Sequence, residues 1–173
     1  MEEPKIIVNT SMSKEDYKKF LFLATFRKNK FTIPLLILLA LVGGLFIGYE
    51  KGHFSISRFI ISWTSLFVLT ILVLMYKIRR RNAQRVKTDK TGTFDSVNTL
   101  KFYNDKIVME NESIKSKGQL RYDQFHALIE SKEYFIFYFT ANQASLIRKK
   151  DLENPDEFKD FVIEKFKGKY KII

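Results

Sequence analysis

Apolar positions along this chain change their spacing several times. From Phe31 to Tyr49, and again from Phe59 to Tyr76, they run without interruption, and only the terminal tyrosines are ionisable. Each run is close to the roughly 20 residues a helix needs to cross bilayer hydrocarbon. The pattern therefore predicts two transmembrane helices, 31–49 and 59–76. A soluble core built from two wholly apolar helices would be unusual in so short a chain. The first run starts too late and is too long for a signal-peptide core. Residues 50–58 (EKGHFSISR) make a short connection, so the spans are expected to be antiparallel neighbours in a hairpin.

Ahead of the first run, residues 5–10 (KIIVNT) form a short β-branched stretch, read as a strand that joins a sheet built elsewhere. Ser13, followed by Glu15 and Asp16, reads as a helix start with acids in the first turn. That helix is expected to reach about Lys28. It either lies in the membrane interface and turns into the bilayer, or simply extends the first span.

Beyond Thr91-Gly92 the period falls to two. Leu100 and Phe102, Ile107 and Met109, and Leu120 and Tyr122 alternate with polar neighbours, as half-buried antiparallel strands do. Residues 125–130, 134–140 and 144–148 continue the meander. The run Tyr134-Phe135-Ile136-Phe137-Tyr138-Phe139 is apolar on both faces, which marks a central strand. Helical spacing then returns: Asn154-Pro155-Asp156-Glu157 combines an N-cap, Pro at the first helical position and first-turn acids. Phe158, Phe161, Val162 and Phe166 lie on one face before Gly168. The expected fold is a membrane α-helical hairpin plus an α+β cytoplasmic domain, a small antiparallel barrel or sandwich with a C-terminal helix covering one end. The expected segments are 1–30 (strand and interfacial helix), 31–76 (hairpin), 77–90 (basic juxtamembrane stretch) and 91–173 (cytoplasmic domain).

Charge fixes the orientation. The chain has a formal charge of +11, but residues 1–90 carry 16 basic against 6 acidic side chains and residues 91–173 carry 14 against 13. The excess therefore lies beside the apolar runs, where it reads as a topology signal and an attraction to anionic lipid, and not as a nucleic-acid footprint. Arg27, Lys28, Lys30, Lys77, Arg79, Arg80, Arg81, Arg85, Lys87 and Lys90 flank the spans on one side; Lys51 and Arg58 alone lie in the loop. Both termini are thus expected in the cytoplasm of a two-span protein of the cell membrane. Tyr49, Phe59, Trp63 and Tyr76 suit an interfacial aromatic belt.

Two adjacent apolar runs, a basic stretch, then Tyr122-Asp123-Gln124-Phe125 leading to Ile129-Glu130-Ser131-Lys132-Glu133-Tyr134-Phe135 resemble the YcxB-like family of small bacterial membrane proteins. Ala144-Ser145-Leu146-Ile147-Arg148-Lys149-Lys150, followed by a helix at Glu157-Phe158, resembles it too, although the family often has Pro-Lys where this chain has Arg148-Lys149. The resemblance implies a C-terminal domain similar to bacterial pleckstrin-homology-like (PH-like) folds, and it implies no activity.

Candidate chemistry is sparse. The chain has no Cys and two His, and His53 and His126 have no companions at metal-ligand spacing. Phosphate-cradling glycine loops are absent from the sequence. The spans lack the ionisable groups of proton relays and ion pathways. Neither an enzyme nor a cofactor is expected. Ala40, Gly44 and Gly48 form a small-residue helix-packing face, with Ser62, Trp63 and Ser65 as candidate partners. Arg79, Arg80, Arg81, Lys115, Lys117, Arg121, Lys149 and Lys150 are candidate contacts to anionic headgroups of the inner leaflet. Asn111-Glu112-Ser113 fits a glycosylation sequon but is expected to be cytoplasmic and unmodified. The functional expectation is a membrane-anchored interaction module that binds protein or anionic lipid. The alternative is an accessory subunit of a transport or envelope complex, packed on another membrane protein or on a second copy.

Overall fold

The computed structural model describes residues 3–50, 52–89 and 92–173. Lys51 and Lys90 of the orientation argument, and Thr91 at the domain boundary, lie outside the described residues. The chain divides into two compact units, one made of the chain to Lys14 together with Asp89–Ile173, the other Glu15–Thr88. The architecture is α+β.

In the Glu15–Thr88 unit, α1 (Lys14–Phe22) runs into a π-helical stretch, Leu23–Lys28, before α2 (Thr32–Gly48). The two helical stretches, Lys14–Lys28 and Thr32–Gly48, meet at 70°. The bend excludes a straight extension of α2. Side-chain hydroxyls bond to carbonyls at this joint: Thr25 Oγ1 donates to Leu21 O at 2.7 Å and Thr32 Oγ1 to Thr25 O at 2.9 Å. Pro34 falls in the first turn of α2, where its missing N–H breaks no bond. A two-residue hairpin, β2 (Tyr49–Glu50) with β3 (His53–Phe54), turns the chain at Gly52, whose φ of +81° suits glycine. α3 (Ile56–Thr88) then runs for 33 residues, about 50 Å at 1.5 Å per residue. The basic stretch expected as a separate segment is the C-terminal part of this one helix. Among the described residues, α3 is the single helix that is long and apolar enough by itself to cross a membrane; the bent pair meets the same test only when taken together.

The other unit holds two four-stranded sheets, in the orders β1-β4-β5-β6 and β10-β7-β8-β9. The first comprises β1 (Ile6–Ser11), β4 (Val97–Phe102), β5 (Lys106–Asn111) and β6 (Ser116–Arg121). The second comprises β7 (Ala127–Glu130), β8 (Tyr134–Tyr138), β9 (Ala144–Arg148) and β10 (Tyr170–Ile172). The N-terminal stretch finds its sheet here: β1 pairs antiparallel with β4 along its whole length, from Ile6 opposite Phe102 to Ser11 opposite Val97. The expected barrel is not closed. Where β1 and β9 approach, side chains replace the ladder: Thr10 Oγ1 donates to Asp151 Oδ2 at 2.6 Å, and Arg148 Nε donates to the same oxygen at 2.7 Å. With no run of backbone hydrogen bonds across that seam, the sheets remain separate.

α4 (Pro155–Lys165) begins as its sequence dictates, with Asn154 Oδ1 accepting from Glu157 N at 3.2 Å. It sends Phe158 and Val162, with Phe166 just after it, into the core between the sheets. The aromatic rings there meet edge to face, Phe158 with Phe102 at 5.1 Å and 87°, and Phe166 with Phe137 at 5.6 Å and 71°. β8 is buried on both faces, in keeping with its unbroken apolar sequence. After Gly168 (φ +78°) the chain returns as β10, parallel to β7.

A fragment of residues 92–173 lacks β1 and leaves the β4 edge open. It should melt well below, or aggregate before, the same fragment carrying residues 3–12 on a flexible linker; identical melting curves would remove β1 from the domain. In the helix pair, a Cβ on Gly44 would lie 3.0 Å from Trp63 Cβ and 3.2 Å from its backbone, whereas one on Gly43 would meet only the flexible tip of Leu66. Gly44→Leu should therefore cost about 1–3 kcal/mol through overpacking and Gly43→Ala less, read as unfolding free energy in a denaturing-detergent titration.

Candidate functional site

The small-residue face of α2 is filled from within the chain. Ala40, Gly44 and Gly48 are buried against α3, where a Cβ on Gly48 would stand 3.0 Å from Phe59 Cβ. Ser62 Oγ lies 3.4 Å from Gly44 O, while its stronger bond, 2.7 Å, goes to Arg58 O in its own helix. Of the candidate partners, Trp63 carries the contact, with its ring stacked on Phe59 at 6.3 Å. Small residues are what allow two helix backbones to approach this closely.

The candidate lipid contacts separate into three groups. Arg79, Arg80 and Arg81 are exposed on α3. Because consecutive helical residues point in different directions, they fan around the helix and form a collar instead of a stripe. Lys115, Lys117 and Arg121 lie on or beside β6. Lys115 occupies the turn with φ +48° and is exposed; Lys117 pairs with Glu110 at 2.7 Å and Arg121 with Asp123 at 3.1 Å. Lys149 and Lys150 follow β9. β6 is the edge strand farthest from β1 and the seam with β9, about 14 Å across three strand spacings, so the second and third groups do not form one patch. Lys150 is exposed, whereas Lys149 turns inward.

Lys149 turns toward Glu130, the centre of a cluster that the sequence pattern did not single out. Glu130 sits at the end of β7, 5% exposed. It accepts from Lys149 Nζ and Tyr170 Oη and lies 3.3 Å from Lys159 Nζ. These partners come from the end of β9, from β10 and from α4, so one carboxylate ties three elements to β7. Burial pushes the Glu130 carboxyl up, but the hydrogen bonds from Lys149 and Tyr170 and the Lys149 charge outweigh it and hold it below the usual range. Burial, and then the Glu130 hydrogen bond, push the Tyr170 phenol up. On β5, Lys101 and then Lys117 hold Glu110 down to about 2. The clue available in the sequence was an acid closing an apolar strand, where a buried charge needs partners.

No group of three or more His, Cys, Asp or Glu could hold a metal among the described residues. His53 and His126 are exposed. Asn111 of the sequon is buried, its amide donating to Ser96 Oγ at 3.0 Å and Asn98 Oδ1 at 2.9 Å, so the folded domain withholds that nitrogen from any transferase.

Residues 102–162, from the end of β4 into α4, match the family model described as YcxB-like protein. No curated protein matches the chain, and no solved structure does. The motif residues have structural roles in that stretch: Tyr122 Oη donates to Tyr103 O at 2.7 Å, Gln124 Oε1 accepts from Arg121 N at 2.9 Å, and Ser131 Oγ accepts from Tyr134 N at 3.1 Å.

The pH dependence follows from the carboxylate and phenol directions. Glu130 and Glu110 are depressed in the folded state, so their contribution is present above the unfolded glutamate range, about 4.3, and is lost as pH falls through it toward their folded values. Tyr170 is raised, so its contribution is present below about 10 and declines above. Full-length protein should melt highest between these limits. Glu130→Gln should lower the melting temperature at pH 7, by about 1–3 kcal/mol in stability, and flatten the acid limb; an unchanged acid limb would show that the cluster contributes nothing. Glu130 and its neighbours Ser131 and Tyr134 all fall inside residues 102–162, the stretch over which the chain is similar to the YcxB-like family.

Proposed function

We propose that this chain is a membrane-anchored interaction module: a two-span hairpin holds a PH-like domain at the inner leaflet, where the domain binds anionic lipid. The observation that carries the reading is the pairing of β1 with β4. These strands lie side by side in one sheet, yet the sequence between them contains α3, an apolar helix long enough to cross a membrane. A single crossing would leave β1 and β4 on opposite sides of the bilayer. An even number returns the chain to the side it left, and α2 supplies the second crossing. Its 17 residues span about 26 Å, a shortfall from roughly 30 Å that local thinning and flanking side chains absorb.

The basic residues before α2 and in the C-terminal part of α3 favour the cytoplasm as that side. Of the two loop cations, Arg58 is neutralised by Glu50. Two four-stranded sheets, antiparallel except for β10 beside β7, with a C-terminal helix that sends Phe158 and Val162 into their core, support the PH-like description, and the collar of Arg79, Arg80 and Arg81 supplies cations where α3 leaves the apolar run. A role as an accessory subunit through Ala40, Gly44 and Gly48 gains no support, because α3 occupies that face.

A reporter fused after Ile173 should read cytoplasmic, and an exterior signal ends the two-span reading. Full-length protein in vesicles containing phosphatidylglycerol should show slower amide exchange at the Lys115 turn or at Lys149-Lys150 than in phosphatidylcholine vesicles, and the difference should vanish in high salt. Equal exchange in both vesicles would leave the domain without a lipid-binding role.

A further inference from the structure

The Glu15–Thr88 unit contains an apolar cleft of about 310 Å³ lined by Phe22, Leu23, Phe26, Arg27, Ile71 and Met75. That volume lies at the small end of ligand pockets, about 300–1,000 Å³. One wall is the π-helical stretch with the last residue of α1; the other is the part of α3 just before Lys77. π-Helical turns are rare and are concentrated at functional sites. Here Thr25 and Thr32 hold the irregular stretch in place. Phe22 and Phe26 pack along the wall, with ring centroids 5.3 Å apart. Arg27 is the single charged lining residue, is exposed, and pairs with no carboxylate among the described residues.

We propose that this cleft retains one anionic phospholipid, with an acyl chain between the π-helical wall and the Ile71 and Met75 side chains, and the phosphate on Arg27. The inference rests on the two-span reading, which puts the end of the apolar run of α3 at the boundary between acyl chains and headgroups on the cytoplasmic side. An apolar slot with one uncompensated cation at that depth matches an amphiphile carrying a negative head. A peptide helix would leave Arg27 facing hydrocarbon, and a zwitterionic lipid would bring its own headgroup cation up to the guanidinium along with its phosphate, so the site favours a headgroup of net negative charge. Ordinary lipid contacts line every exposed face of α2 and α3; the cleft differs in enclosing a chain on two sides.

Native mass spectrometry of the full-length protein, extracted from nanodiscs of equimolar phosphatidylglycerol and phosphatidylcholine, tests this. The expected result is one retained phosphatidylglycerol per chain. Met75→Trp fills the slot and should abolish the adduct, and Arg27→Gln, an exposed change that leaves the packing intact, should lower the preference for phosphatidylglycerol about fivefold. No adduct on the wild-type protein, equal retention in Met75→Trp, or an adduct with the mass of a peptide or a second copy overturns the proposal. The reporter after Ile173 separates the two failures: a cytoplasmic signal with no retained lipid rejects the cleft alone, and an exterior signal rejects the two-span reading as well.

Discussion

Everything in this chain hangs on one ladder of backbone hydrogen bonds, that between β1 and β4. Six residues near the N-terminus pair with six that come after both apolar runs, so the whole Glu15–Thr88 unit is an insertion between neighbouring strands of one sheet. The pairing is antiparallel and in full register, and Val8 and Leu100 enter the same core. Sliding the register by one residue would turn an apolar set to the outside. An insertion bounded in this way has its two ends fixed close together. That constraint, more than any single apolar residue, decides how the helices can leave the sheet and return to it.

Each unit then solves its packing problem with different chemistry. Between α2 and α3, closeness is obtained by removing side chains: at Gly44 and Gly48 there is no room for a Cβ without displacing Trp63 or Phe59. Within the sheets, closeness is obtained by adding aromatic rings, with Phe102, Phe125, Phe135, Phe137, Phe158 and Phe166 all fully buried. Edge-to-face contacts among them join both sheets to α4. Around this apolar centre, two carboxylates gather the outer elements. Asp151 bridges the seam between β1 and β9, and Glu130 holds β10 and α4 to β7. Each takes a partner from a distant part of the sequence, Thr10 at Asp151 and Tyr170 at Glu130, and each carboxylate has a cation beside it.

How legible this was depended on the range over which each signal acts. Local signals were plain in the sequence: Asn154-Pro155 starts α4 where capping chemistry places it, Tyr134–Tyr138 is the doubly buried central strand, and Ala40, Gly44 and Gly48 lie on one face because 3.6-residue periodicity puts them there. The β1 segment was recognisable as a strand needing a host, but its partner lies some 90 residues away, and only the fold names it. The π-helical joint and its 70° bend left no trace, since Leu23–Lys28 has ordinary helical composition. β10 was hidden because three residues after a glycine carry too little pattern. For the candidate contacts, composition pointed to the cations but not to their counter-charges. Lys117, Arg121 and Lys149 are each paired with an acid that no spacing rule would select.

The position of β1 also sets an order of events during biosynthesis. Its strand leaves the ribosome before either apolar run, and its partner Val97–Phe102 emerges only after both. At about 5–20 residues per second, β1 waits for several seconds with its hydrogen-bonding edge open. It is short and carries Asn9, Thr10 and Ser11, a composition poorly suited to self-association while it waits. The domain therefore cannot finish folding before its inserted helices have been made, and a completed sheet reports that both have left the ribosome.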